Sequence, residues 1–344
     1  MKAGIIGANG YGGAELIRIL THHPLIQIEK IVSHSTRGRN ILELYPHLHG
    51  IMDQTLEELD AGELAELDLL FFATPAGVTK EILPQFLEQG VTCIDLSGDF
   101  RLKNTKNYEE WYRKSPAEQK YVEQSVYGLT EIYRDQIKEA KFIANPGCFP
   151  TAALLGLIPA FQGKLINPKT VHIDAKTGVS GAGRKASMAN LFTEVNENVK
   201  AYKVTEHQHI PEIEQALGEF TDEPAPISFI THLIPMTRGI MCTMYAELEK
   251  DVTTEDVRDF YLETYEKAPF IRIRPAGQVP MTKEVLGTNF CDIGVKVDKR
   301  SNRLIIISVI ENLVKGAAGQ AVQNMNVMFG WDEDTGLKHL PLYP

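Results

Sequence analysis

The chain has 344 residues, 43% apolar and 23% charged, which suits a soluble globular protein of about two domains. A formal net charge of −10 argues against nucleic acid or an anionic membrane as partner. No apolar run nears the ~18 residues of a membrane span and the first residues already read as a strand, so neither a span nor a signal peptide is expected and the location should be cytosolic.

From the start, Lys2-Ala-Gly-Ile-Ile-Gly7-Ala-Asn-Gly10-Tyr-Gly12-Gly13 predicts a short apolar strand and a glycine turn, and Leu16, Ile17, Ile19 and Leu20 continue it as a helix. Gly7, Gly10 and Gly13 form a G-x-x-G-x-x-G variant of the dinucleotide fingerprint. Glycines in that setting let backbone approach a pyrophosphate whose charge faces a helix N-terminus. A second strand, Ile28–Ser33, ends without the Asp or Glu that would hold a ribose 2′-OH. The following Ser35, Arg37 and Arg39 suit a 2′-phosphate, so NADP is the expected cofactor. The competing reading of that loop is a solvated basic turn.

The stretch 67–77, an apolar strand ending in a turn, then a helix from about 78 to 89 and a strand at 92–96 continue the alternation of a doubly wound parallel sheet. Ser97-Gly-Asp-Phe-Arg101 then falls at a strand's carboxyl end, where such sheets bind ligands. Residues 103–124, polar, aromatic and helical at best, read as a surface excursion. Val126–Glu131 precedes a short helix, and Lys141–Ala144 is the last strand before Asn145-Pro-Gly-Cys148-Phe-Pro-Thr151. Asn-Pro-Gly is turn chemistry. Ala152, Leu154, Leu155, Leu157, Ile158 and Phe161 predict an amphipathic helix behind it, with Thr151 as N-cap and Pro150 just outside. Cys148 is thereby expected near unpaired N–H groups and the positive end of a helix dipole, conditions that lower a thiol pKa. The alternative is a small buried apolar cysteine. Cys93, Cys242 and Cys291 lie in strand-like runs, and the four cysteines lack the spacing of a disulfide framework or a metal site.

Past Gln162 the pattern becomes α+β. Strands are expected at 170–174, 227–233, 239–248, 288–297 and 303–309, with a last helix from Lys315 to about Met328. One face of that sheet is expected to pair with another subunit. No repeat, low-complexity tract or linker is present, and the domain boundary falls at the cysteine turn. The fold class expected is α/β: a Rossmann-type doubly wound parallel sheet, plus an α+β catalytic and oligomerisation domain with a mainly antiparallel or mixed sheet.

Seven collinear motifs carry a resemblance across the whole chain: Gly7–Glu15, Asp95–Arg101, Asn145–Thr151, Gly178–Arg184, His207–Glu212, His232–Gly239 and Asn312–Asn326. Together they resemble the N-acetyl-gamma-glutamyl-phosphate reductase family of arginine biosynthesis, related to aspartate-semialdehyde and glyceraldehyde-3-phosphate dehydrogenases. Those relatives place Asn or Ser before the nucleophilic cysteine, whereas this chain has Gly147; Asn9 stands where the fingerprint often has Ser or Thr. The resemblance implies a dinucleotide domain, 1–147, completed by the C-terminal helix within 315–344, and a catalytic and oligomerisation domain, 148–314. It also implies a homo-oligomer, dimer or tetramer, and an NADP site drawing on Gly7, Asn9, Gly10, Tyr11, Gly12, Gly13, Ser35, Arg37, Arg39, Ser180, Gly181 and Asn312.

The chemistry can be argued from the residues as well. A thiolate attacks an acyl phosphate, phosphate leaves, and hydride from NADPH reduces the thioester to an aldehyde. Cys148 is the nucleophile. His209 is the first candidate for acid/base work, held by Glu212, with His207 second; two residues apart in an extended segment, both can face one side. Arg101, Arg184 and Arg238 are unranked candidates for clamping a substrate carboxylate or phosphate. A cysteine hydrolase would have no use for the glycine fingerprint. A non-catalytic NADP sensor would not need Cys148 beside a distal His-x-His-x-Pro-Glu.

Overall fold

The computed structural model describes residues 1–343 of the 344. The chain divides into two compact units, Met1–Gly147 with Ala317–Lys338, and Cys148–Gly316 with the residues from His339. The final residues therefore go with the second unit, where the Leu342 N–H donates to Leu286 O at 3.0 Å.

The first unit is built on six strands, β1 (Lys2–Ile6), β2 (Gln27–Val32), β3 (Leu69–Phe72), β4 (Thr92–Asp95), β5 (Val126–Tyr127) and β6 (Phe142–Ala144), all parallel, in the order β2-β1-β3-β4-β6-β5. Every residue of β3 and β4 is buried, as expected of strands covered on both faces. The helix expected over 78–89 is broken into Thr79–Ile82 and Pro84–Glu88, because Pro84 has no N–H to carry it on. Residues 103–124 are more than a surface excursion. They form helices Thr105–Tyr112 and Gln119–Gln124, and Tyr108, Tyr121 and Val122 are buried.

The helix Gly319–Met328 belongs to this unit and is tied in by buried amides. Gln320 Nε2 and Asn324 Nδ2 both donate to Gly128 O, at 3.0 and 2.8 Å, and Thr130 Oγ1 donates to Asn324 Oδ1 at 2.6 Å. Asn145, at the edge of the cysteine turn, has all its polar groups engaged. Its N–H donates to Asp95 O, its Nδ2 to Ala317 O, its Oδ1 accepts from Asn324 Nδ2 and its carbonyl from Arg101 Nε. A buried network satisfied in this way fixes one conformation of the backbone entering the turn.

The second unit carries β7 (His172–Thr177), β8 (Lys200–Tyr202), β9 (Ser228–Leu233), β10 (Ile240–Glu247), β11 (Ile271–Ile273), β12 (Cys291–Asp298) and β13 (Arg303–Ile310), in the order β11-β12-β13-β10-β7-β9-β8. The sheet is mixed: β7 with β9 and β11 with β12 are parallel, and the other neighbours antiparallel. Burial alternates along β7 and β10, so one face looks inward.

The helix Cys148–Gln162 packs in this unit, and it begins at Cys148 itself, not after Thr151. Pro150 lies in its first turn, where an absent N–H costs nothing. The helix is buried all round from Phe149 to Phe161, so it is a core helix and not an amphipathic one. Pro159 leaves Leu155 O without its helical donor, and Tyr265 Oη supplies a replacement at 2.6 Å; Tyr261 Oη donates to Gly156 O at 2.6 Å.

Candidate active site

In the first unit the glycine turn has two kinds of glycine. Gly7 has φ +90°, and a Cβ there would lie 2.5 Å from Ala73 O; a Cβ on Gly13 would lie 2.5 Å from Ala8 Cα and Gly7 O. Those two are required by the fold itself. A Cβ on Gly10 would meet nothing nearer than Gly7 O at 3.6 Å, and one on Gly12 nothing nearer than Ala73 Cβ at 3.9 Å. Gly10 is also the N-cap of the helix Tyr11–Leu20 and offers no side-chain cap. The protein leaves this space empty at a helix N-terminus, which is the cradle a dinucleotide pyrophosphate needs.

At the end of β2, Asn9 Nδ2 donates to Ser35 Oγ at 3.0 Å, which brings two of the expected cofactor residues together, and Tyr45 Oη donates to Asn9 O. Arg37 and Arg39 are exposed and pair with Glu58 and Glu43. Exposed pairs of this kind are weak, so either guanidinium can exchange its partner for a phosphate.

The motif Asp95–Arg101 serves this unit's backbone. Asp99 accepts from Gly77 N, Lys80 N and Tyr108 Oη. Asp95 is fully buried, and burial, with the neighbouring Asp99 charge second, pushes its carboxyl up to about 7. Arg101 donates through Nε to Asn145 O and through Nη2 to Leu96 O, each at 2.7 Å, a structural task that needs no ligand.

In the second unit Cys148 is half-buried, while Cys93, Cys242 and Cys291 are buried in strands; burial pushes the Cys93 and Cys242 thiols well up. Standing at the start of its helix, Cys148 is among N–H groups that the helix does not use. Gly316 lies against it: a Cβ on Gly316 would be 2.8 Å from Cys148 Cβ. Gly316 belongs to a π-helical turn, Val314–Ala318, whose N–H to Glu311 O bond measures 3.0 Å. Such turns recur at functional sites. The sequence reading contained Gly316 in a motif but gave it no task.

The two histidines are not in an extended segment. His209 is the N-cap of the helix Ile210–Leu217, with φ −83° and ψ −11°, and Pro211 and Glu212 lie in its first turn. The rings still share a side, 4.7 Å apart, because the turn folds them together: His209 N–H donates to His207 Nδ1 at 3.2 Å, and Ile210 N–H to His207 O. Both rings stand edge-on to Phe149, the residue after the cysteine, at 5.5 and 6.0 Å. Burial, and then the Lys203 charge, lower His207 to about 3, so it is neutral at pH 7 with its proton on Nε2. Glu212 is fully buried. Tyr202, missed in the sequence because β8 is short and exposed, packs 5.8 Å from the His207 ring; burial and then the nearby Cys148 sulfur push its hydroxyl up.

Ser180 and Asn312 are bonded, Asn312 Nδ2 to Ser180 Oγ at 2.9 Å, with Gly181 next to them on an exposed turn. Asn312 Oδ1 also accepts from Gly239 N at 2.7 Å. Arg238 is a third exposed and pairs with the fully buried Glu311; Arg184 is exposed on its loop. Among the described residues no cluster of His, Cys, Asp and Glu suits a metal ion, and no helix is long and apolar enough to cross a membrane.

Comparison with known proteins agrees with both units. Residues 2–140 match the semialdehyde dehydrogenase NAD binding domain, and 148–312 the semialdehyde dehydrogenase dimerisation domain. Aspartate semialdehyde dehydrogenase II from Vibrio cholerae shares the fold at TM-score 0.72 and 16% identity, over 96% of this chain and 98% of that one. The aspartate semialdehyde dehydrogenase of Candida albicans, solved with NADP, does so at TM-score 0.70 and 16% identity, over 95% and 98%. Fold and domain pair thus define an oxidoreductase of the semialdehyde dehydrogenase class. At full length the similarity is narrower. The N-acetyl-gamma-glutamyl-phosphate reductases of Bacillus subtilis and Oceanobacillus iheyensis are each 55% identical over 345 residues, covering 100% of this chain and 100% and 99% of theirs. The chain belongs to the N-acetyl-gamma-glutamyl-phosphate reductase family.

Proposed function

We propose that the protein reduces N-acetyl-gamma-glutamyl phosphate to N-acetylglutamate 5-semialdehyde and phosphate, with NADPH as reductant and a thioester on Cys148, as a cytoplasmic step of arginine biosynthesis. The observation that carries the reading is Cys148 at the open start of a buried helix, backed by Gly316, with the His207 and His209 rings packed on the adjoining Phe149. The names of the full-length relatives supply the substrate. The cofactor reading rests on the spare space at Gly10 and Gly12 and on Ser35, Arg37 and Arg39 after β2; the NAD binding domain match supports a nicotinamide cofactor. The dimerisation domain match supports a homo-oligomer.

In this mechanism the Cys148 sulfur attacks the acyl carbon, and the C–O bond to phosphate breaks. N–H groups at the helix start stabilise the carbonyl oxygen as it gains charge. A dinucleotide held by Gly10, Gly12, Ser35, Arg37 and Arg39 would supply the hydride that reduces the thioester. His209 protonates the resulting oxyanion and takes that proton back as the C–S bond breaks, which releases the aldehyde and returns the thiolate. His207, neutral and accepting the His209 N–H, acts as support. Arg238, pinned yet partly exposed, is favoured over Arg101 and Arg184 for the substrate's anionic group.

The test is oxidation of N-acetylglutamate 5-semialdehyde in the presence of phosphate, with aspartate semialdehyde, NAD and no phosphate as the three comparisons. The reading expects at least tenfold preference for NADP, from charge-assisted bonds of about 1.5–3 kcal/mol each, lost when Arg37 and Arg39 are replaced together. Equal kcat/KM for the two dinucleotides, or turnover without phosphate, would refute the corresponding part.

A further inference from the structure

Among the three arginines that are candidates for holding a substrate oxyanion, Arg238 is held both through the backbone of its loop and at its head. The loop that carries Arg238 is zipped to the loop after β7 by three backbone bonds, Gly178 N to Gly239 O at 2.9 Å, Ser180 N to Thr237 O at 3.0 Å and Val179 N to Met236 O at 3.0 Å. Asn312 Oδ1 takes the Gly239 N–H. Beyond the backbone, Arg238 Nη1 donates to Glu311 Oε2 at 3.0 Å, and the same carboxylate accepts the Leu313 N–H at Oε1 at 2.9 Å.

Glu311 has no exposed surface. A carboxylate held out of water is costly unless its charge and lone pairs are matched, so a buried Glu with an Arg head against it specifies geometry more than it adds stability. It stands where β13 ends, one residue beyond the Ile240↔Ile310 pair, and its carbonyl accepts the Gly316 N–H that closes the turn behind Cys148. One residue thus touches the arginine through its side chain and the wall behind the nucleophile through its backbone.

We propose that Glu311 is a positioning residue, which aims the Arg238 guanidinium at an oxyanion of the substrate, its carboxylate or its phosphate, beside Cys148. This rests on the function proposed above. A guanidinium held at one edge keeps its planar fork in a fixed orientation, so less freedom is lost when an oxyanion binds. Without the carboxylate the Arg head samples other rotamers, and the loss appears in binding of the anion and not of the dinucleotide.

The test uses the reverse reaction, in which carboxylate and phosphate arrive on separate molecules. KM is measured for N-acetylglutamate 5-semialdehyde, for inorganic phosphate and for NADP in the wild type, Glu311→Gln, Arg238→Met and the double variant. Glu311→Gln should raise one of the two oxyanion KM values at least tenfold and leave that for NADP within twofold; which of the two rises identifies the group bound. In the Arg238→Met background Glu311→Gln should change that KM by less than twofold. An unchanged oxyanion KM in Glu311→Gln, or an equally large effect without Arg238, would overturn the proposal. Should Glu311→Gln not fold, Arg238→Lys decides it, since a single ammonium cannot serve carboxylate and substrate as a fork does: a wild-type oxyanion KM refutes the clamp and a tenfold rise upholds it. Protection of Cys148 from iodoacetamide by N-acetylglutamate or phosphate is read in parallel. If the wild type does not oxidise the semialdehyde yet these anions protect it, with half-protection shifted tenfold in Glu311→Gln, the reaction assignment fails and the clamp stands; loss of that shift removes the clamp.

Discussion

Gly316→Ala isolates the packing behind the nucleophile. The added methyl would sit 2.8 Å from Cys148 Cβ, 3.2 Å from its Cα and 3.3 Å from Ile310 Cδ1. Carbon atoms prefer about 3.5–4.0 Å, so Cys148 or the turn must yield by roughly 1 Å. Ile310 Cδ1 can swing aside, but the Cys148 contacts are at its Cα and Cβ and cannot: Cys148 starts a helix buried from Phe149 to Phe161, and the Gly316 N–H is tied to Glu311 O. Overpacking of this kind costs about 1–3 kcal/mol, which for a unit of this size lowers Tm by about 2–4 °C per kcal/mol. The larger effect falls on rate, because a displacement of about 1 Å at the reacting atom costs about 10²-fold. Semialdehyde oxidation should therefore lose about two orders of magnitude in kcat while NADP affinity, measured by fluorescence titration, stays within twofold. Wild-type kcat in a folded Gly316→Ala protein would refute the view that this contact aims the thiol.

The glycine turn separates structure from ligand: Gly13→Ala should destabilise the protein, since its Cβ meets backbone at 2.5 Å, whereas Gly10→Ala should leave Tm nearly unchanged and weaken NADP binding at least tenfold. Unchanged affinity in Gly10→Ala would remove the pyrophosphate from that space. His209→Asn should lower kcat by about 10²–10⁴, and His207→Asn, which removes an imidazole already neutral, by less; the reverse order would exchange the two roles. Asp95, pushed up to about 7, holds its proton more tightly folded than unfolded, where its value is about 3.9. Its favourable contribution is present below about pH 4 and lost as pH rises through 7, so urea midpoints of the wild type should fall relative to Asp95→Asn by the equivalent of up to about 4 kcal/mol between pH 4 and 8. Parallel pH profiles for the two proteins would contradict this.

Much of the first unit was legible because parallel strands covered on both faces read as apolar runs and because Gly7 and Gly13 are required by contacts within their own turn. The mixed second sheet was legible in its long strands, β10, β12 and β13. The three-residue β8 and β11 were not, since their residues are exposed or half-buried and too few to show a period. The cysteine helix was foreseen with the wrong start and surface. Pro150 suggested a boundary, yet a proline in the first turn forfeits no bond, and a helix buried on all sides shows whatever polar period its few small residues leave. His207 and His209 looked like strand neighbours at a spacing of two; a turn locked by His207 Nδ1 and the helix starting at Ile210 brings the rings together instead. Gly316 against Cys148, Glu311 under Arg238 and Arg101 on the Asn145 carbonyl are contacts between residues 44 to 168 positions apart in the sequence, and local pattern carries no record of them.

The account turns on covalent catalysis at Cys148. The protein should be mixed with N-acetyl-gamma-glutamyl phosphate in the absence of dinucleotide, quenched in acid, and its intact mass and peptides determined. The expected result is a single N-acetylglutamyl adduct on the peptide containing Cys148, removable by hydroxylamine, discharged as aldehyde when NADPH is added, and absent from Cys148→Ala, which should also lack turnover. An adduct at Cys93, Cys242 or Cys291, or a Cys148→Ala protein that still reduces the acyl phosphate at an appreciable rate, would contradict it.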